Sequence, residues 1–111
     1  MPKRRGKMEN VIFSEDGANL KVHLALEIDH HTAKGIREKI DEMLFRLSPD
    51  VLELDFSEVR FMDSSGIGLI IGRAELMCEL GGQLRILGLS HTLRRIVKLS
   101  GIEKIKNITI M

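Results

Sequence analysis

Tryptophan and tyrosine are absent from this 111-residue chain, and its only aromatic residues are four phenylalanines. Single strands of nucleic acid bind where aromatic faces alternate with cations, and no basic stretch here is interleaved with aromatics. The small cluster Arg94, Arg95 and Lys98 reads as a solvated helix face, and no nucleic-acid partner is expected. The single cysteine, Cys78, excludes an internal disulfide framework and suits a reducing compartment. No segment approaches the roughly 18 apolar residues of a membrane span. Nor does one sign of charge dominate, because the net charge is +1, which gives no global pull toward nucleic acid or an anionic membrane. The stretch Met1-Pro2-Lys3-Arg4-Arg5-Gly6-Lys7 is basic, but no apolar run follows it, so it is not a secretory signal. A soluble, cytoplasmic protein is expected, with residues 1–8 as a disordered basic tail and 9–111 as a single domain.

What is present is an apolar fraction of 43%, enough for a real core. Val11-Ile12-Phe13 reads as a short strand. Gly17 lies in a turn. Leu20, Val22, Leu24 and Leu26 then alternate with Lys21, His23 and Ala25, the period of a half-buried strand, so a hairpin is expected. Ala33, Ile36, Ile40, Met43, Leu44 and Leu47 have helical spacing, and Pro49 closes that helix. Val51–Phe56 reads as a strand. A second helix runs to about Leu80, with Ile67, Ile70, Ile71, Ala74, Met77 and Cys78 inward and Arg73, Glu75 and Glu79 outward; Gly81-Gly82 stops it. Leu84–Gly88 is a strand. Ser90 caps a short helix that buries Leu93, Ile96 and Val97 and ends at Gly101, and Ile105–Ile110 forms a last strand. The order β-β-α-β-α-β-α-β predicts an α/β domain whose mixed sheet is mostly parallel.

One stretch organises the rest: Phe61-Met62-Asp63-Ser64-Ser65-Gly66-Ile67-Gly68, continuing to Gly72-Arg73. It reads as a strand, a short exposed connection and the start of a buried helix, with Ser64 or Ser65 at the N-cap. Each glycine inside a helix costs about 1 kcal/mol relative to alanine. Gly66, Gly68 and Gly72 therefore imply that a neighbouring strand or a partner protein comes close to the backbone there.

Several chemistries fail on spacing. A nucleophile elbow needs glycine two residues before its serine, where Met62 or Asp63 stands; His91 is the only later histidine and no aspartate follows Asp63. Gly66-x-Gly68-x-x-x-Gly72 is neither a dinucleotide fingerprint nor a Walker loop. Asp29, His30 and His31 are adjacent and rarely aim at one point, so they read as surface residues, as do His23 and His91, rather than metal ligands. No catalytic residue, metal or cofactor is assigned. Two readings of the serine pair stay open. One is a plain N-cap with glycines for packing. The other is a phosphate acceptor, whose added −1.5 to −2 charge a helix N-terminus tolerates while the surface offered to a partner changes.

Phe61–Gly68 resembles the phosphorylation motif of the anti-sigma factor antagonists, the small single-domain members of the STAS family. Glu27-Ile28-Asp29-His30-His31-Thr32-Ala33 is similar to the matching loop of the SpoIIAA-like sigma-F antagonists, and Gly81-Gly82, Leu84–Leu89 and Leu99-Ser100-Gly101-Ile102 fit the later part of the family. The resemblance covers roughly residues 9–108. It implies a STAS domain with helices packed on one side of the sheet, and a non-enzymatic role. The unphosphorylated protein would bind a serine-kinase anti-sigma factor, an ATP-using protein of histidine-kinase-like fold, and so free the sigma factor. Phosphorylation would inactivate it and a PP2C-type phosphatase would reset it. By motif, Ser64 is the implied phosphate acceptor, and Asp29, Asp63, Ser65 and Gly66 the implied partner contacts. A STAS scaffold, or a regulatory subunit of a stress-signalling or transporter complex, is the alternative. The chain departs from the pattern at Leu26, where the family commonly has glycine, and after residue 102, where either the full C-terminal helix of many relatives is absent or residues 102–111 are built differently.

Overall fold

Leu20, Val22 and Leu24 stand opposite Leu52, Leu54 and the Val11 end of the first strand, and all are buried because alternate side chains of adjacent strands share one face. The computed structural model describes residues 10–111; the tail expected at 1–8 lies outside the described residues. The elements are β1 (Val11–Asp16), β2 (Asn19–Ile28), α1 (Ala33–Leu47), β3 (Val51–Met62), α2 (Ser64–Glu79), β4 (Gln83–Leu87), α3 (His91–Ser100), a 3-10 turn (Ile102–Lys104) and β5 (Ile108–Ile110). One five-stranded sheet has the order β1-β2-β3-β4-β5. Only β1 runs antiparallel to its neighbour, joined through Gly17 at φ +63; the other pairs are parallel. The mixed, mostly parallel sheet is therefore as expected.

The helices pack on one side. Ile36, Ile40 and Leu44 of α1, Leu69, Ile70, Ala74 and Met77 of α2, and Leu93 and Val97 of α3 join the strand residues in a single cluster. Each Leu, Ile, Val or Met side chain among them contributes roughly 1.5–3 kcal/mol on burial, and Ala74 less. The opposite sheet face is polar. There Ser14 and His23 lie 3.3 Å apart, His23 and Asp55 3.3 Å, and Arg85 and Glu53 3.2 Å. Asp55 is pushed up by burial, but bonds from Ser57 and the charge of His23 outweigh this and leave its carboxyl below the usual range. Ser90 caps α3 by accepting from the Leu93 amide at 3.1 Å, and Gly101 ends it at φ +78, as the sequence predicts.

Four expectations need correction. β3 does not stop at Phe56 but runs on to Met62. Beyond Phe56 its buried positions are Val59 and Met62, three apart, because two irregularities in the pairing with β2 break the two-residue period. Leu26 does not continue the alternation of β2: it is half-buried at φ +66, beside one of those irregularities. On α2, Arg73 faces inward and is buried, Leu69 is buried, and Cys78 is exposed. The inward face is centred on Gly66, Leu69, Ile70, Arg73, Ala74 and Met77 because α2 packs against α1 as well as the sheet, and Asp41 of α1 meets Arg73 there with Nε and Oδ1 2.8 Å apart. The last strand begins at Ile108, after the 3-10 turn, rather than at Ile105.

The turn after β4 depends on Gly88, which sits at φ +71 against the first irregularity of β3. A Cβ there would lie 2.7 Å from Asp55 Oδ1 and 2.9 Å from the Ser57 nitrogen. Gly88→Ala combines backbone strain with overpacking and is expected to cost about 1–3 kcal/mol in urea unfolding. An unchanged midpoint would show that the turn relaxes freely.

Candidate functional site

The site is assembled by the parallel pairing of β2 with β3. Ile28, the last residue of β2, pairs with Met62, the last of β3, and the Asp63 amide donates to the Ile28 carbonyl at 3.1 Å. The Asp29 loop and the Asp63-Ser64-Ser65 junction thus leave the sheet side by side at its carboxyl edge. That edge is where open α/β sheets place ligands and partners.

The N-cap of α2 is neither serine but Asp63, whose Oδ1 accepts from the Ser65 amide at 2.8 Å while its carbonyl accepts from Gly66 at 2.9 Å. This follows from side-chain reach: a carboxylate one residue before the helix meets the second helical amide. Ser64 is left exposed as the first residue of α2, with no hydrogen bond to its hydroxyl among the described residues. Ser65 is half-buried and turned toward α1, where it shares a cavity with His30. Gly66 is buried, and a Cβ on it would fall within 2.1–2.3 Å of Met62 side-chain atoms. Close approach therefore explains Gly66. It does not explain Gly68 or Gly72, where an added Cβ meets nothing within 4 Å.

Asp29 organises its own loop. Its Oδ1 accepts from the His31 amide at 2.9 Å and the Thr32 amide at 3.1 Å, and Thr32 Oγ1 in turn accepts from the Asp29 amide at 3.0 Å. Thr32 Oγ1 also donates to the Glu27 carbonyl at 2.9 Å. This reciprocal pair has the pattern of a capping box but closes the turn that leads into α1, whose own N-cap residue, Thr32, makes no side-chain bond to the helix. The amide bonds, Thr32 foremost, with help from His31 and His30, hold the Asp29 carboxyl below the usual range. Phe61, beside the junction, is 52% exposed, and Leu26 half-lines the neighbouring surface with Asn10 and Arg60. Sequence periodicity puts Leu26 in the alternating set of β2 and leaves Phe61 unassigned; both lie where two irregularities break the pairing of β2 with β3.

Chemically the corner offers a free hydroxyl at a helix N-terminus and a carboxylate on each side. No group of three or more metal-ligating side chains exists among the described residues, and His91 makes no hydrogen bond to either serine. No described helix is long and apolar enough to cross a membrane.

Comparison with known proteins agrees on one family. The STAS domain model matches residues 10–109. The anti-sigma F factor antagonist of Paenibacillus polymyxa is 36% identical over 89 residues, 80% of this chain and 76% of that protein. The anti-sigma-B factor antagonist of Bacillus subtilis strain 168 is 29% identical over 100 residues, 90% of each chain. Among solved structures, the anti-sigma factor antagonist SpoIIAA in its unphosphorylated form superposes with a TM-score of 0.77 at 27% identity, covering 91% of this chain and 87% of that one. The Bacillus SpoIIAA in its phosphorylated form gives 0.70 at 27% identity, covering 91% and 90%.

Two measurements test the corner's local structure. Asp63→Ala removes the cap of α2 and should lower stability by about 1 kcal/mol. A depressed carboxyl stabilises the fold above its unfolded pKa, and that contribution is lost as pH falls through the lower folded value. In an NMR titration the His31 and Thr32 amides should shift together at a midpoint below that of a free aspartate. A midpoint at or above the free value would refute the bonding described.

Proposed function

The chain belongs to the STAS-domain family, and on that premise we propose that it is an anti-sigma factor antagonist switched by phosphorylation of Ser64. The observation that carries this reading is the exposed Ser64 hydroxyl, left unbonded because Asp63 does the capping, at the corner where the Asp29 loop emerges. Relatives named as antagonists of anti-sigma F and anti-sigma-B factors support it.

In the unphosphorylated state the corner formed by Asp29, Asp63, Ser65 and Gly66 docks on a serine-kinase anti-sigma factor in the cytoplasm, and the sigma factor is released. Phe61, half-exposed beside the junction, supplies an apolar contact of the kind that anchors interfaces. The kinase brings ATP, so this chain needs no cofactor and performs no catalysis. A phosphoryl group on Ser64 adds −1.5 to −2 charges and three acceptor oxygens. The free amides and dipole of α2 accommodate that charge without unfolding. A partner meets it together with the carboxylates of Asp63 and Asp29, and like-charge repulsion weakens docking. A PP2C-type phosphatase restores the hydroxyl.

Incubation with the cognate kinase and ATP, followed by intact-mass spectrometry with fragmentation, is expected to place one phosphate on Ser64. Ser64→Ala should abolish incorporation and Ser65→Ala should retain it. Labelling of the Ser64→Ala variant at the parental level would refute the site. A stable complex with no phosphate would favour a STAS scaffold or regulatory subunit instead.

A further inference from the structure

Gly68 and Gly72 remain unexplained by the domain's own packing. Each costs about 1 kcal/mol relative to alanine inside a helix, yet a Cβ at either would meet only open space. That space is a cavity of about 500 Å³ between α1 and α2. Gly68, Gly72 and Ser65 form its floor along one face of α2, and Lys34, Arg37 and Arg73 line it.

Its charge is unbalanced. Arg73, 7% exposed, is held by Asp41 across a 2.8 Å ion pair that lacks hydrogen-bond alignment. Burying a guanidinium is costly, and Asp41 only partly compensates: burial pushes the Arg73 pKa down, Asp41 opposes the shift, and the like charge of Arg37 adds to it. Lys34 and Arg37 are exposed, and among the described residues neither has a carboxylate within ion-pair distance. Lys34, Arg37 and Arg73 therefore line this groove while Asp41 is already engaged by Arg73, and Glu75 adds only a weaker acidic influence at Arg73.

We infer that the groove between α1 and α2 receives an acidic helix of the partner kinase, its backbone seated on Gly68 and Gly72 and its carboxylates on Lys34, Arg37 and Arg73. The inference rests on the kinase-binding reading above and extends the contact surface away from Ser64. The floor from Ser65 to Gly72 spans about 10 Å, two turns of a helix. Small residues in such a register let a second helix approach closely, and helix-in-groove docking needs both a groove and a complementary rim. Continuity through Ser65 places the groove within reach of a partner already at the Ser64 corner.

The test is calorimetric titration of the full-length chain with the intact kinase, at low and high salt, with thermal melts as the folding control. Gly72→Ala should keep or raise the melting temperature while weakening binding about tenfold or more. Lys34→Glu with Arg37→Glu should weaken binding and flatten its salt dependence. If the parent binds and is phosphorylated while both variants bind as it does, the groove is not used and the antagonist function stands. Weakening by the charge reversal alone, with Gly72→Ala unaffected, leaves only long-range attraction and overturns the seated helix. Inorganic phosphate that binds the parent without kinase, and is lost with Arg37→Glu but not with Gly72→Ala, makes the groove a small-anion site and also overturns it. A parent that fails to bind the kinase at all removes the functional reading and this inference together.

Discussion

The pairing of β2 with β3 is the constraint on which the rest depends. Between the pairs Val22–Leu54 and Ile28–Met62, β3 uses two more residues than β2. Without those two residues Ile28 would end opposite Arg60, and the Asp63 junction would lie about 7 Å further along the sheet. The irregularities thus align two loops that sequence separates by more than thirty residues. The first is stabilised locally: Asp55 Oδ1 accepts from the Ser57 amide at 3.0 Å, giving a partner to a backbone group that leaves the ladder. Gly88 makes room for it from the next strand connection.

The fold was legible because its signals are local and mutually consistent. Alternation in residues 20–24, helical spacing in 33–47, the Gly81-Gly82 stop and the Ser90 and Gly101 caps each point to the element observed. The candidate corner was also legible as a place, since a strand, an Asp-Ser-Ser-Gly junction and helical apolar spacing after it put a helix start at the strand's carboxyl end. Resemblance, not spacing, joined Asp29 to that corner, because no pattern in one sequence states which loops are neighbours.

What escaped the sequence has common causes. For Arg73 charge predicts exposure, and only the tertiary position of Asp41 makes its burial possible. For Cys78 apolar character predicts burial, though the face of α2 is set by α1 as well as the sheet. Asp63 displaces the serines as N-cap, since aspartate and serine both cap well and one position decides between them. The sequence reading of β3 ends at Phe56 because the buried positions beyond it fall at a spacing of three, which no strand template contains.

Leu26 joins these threads. It occupies a left-handed conformation at φ +66, where an L-residue pays roughly 1–2 kcal/mol and where the resemblance identified glycine as common. The strain is held from both sides. The Asn10 side chain donates to the carbonyls of Ala25 at 3.0 Å and Glu27 at 3.4 Å, and the Ala25 amide donates to the Asn10 carbonyl at 3.0 Å. Thr32 Oγ1 donates to the same Glu27 carbonyl. The bonds that pin Leu26 thus include one from the loop that Asp29 organises. A movement of that loop would loosen the bracket on a strained residue, so its resting position carries a conformational bias that glycine would lack. In this chain the geometry of the Asp29 loop is set by the strained end of β2 as much as by its own side chains.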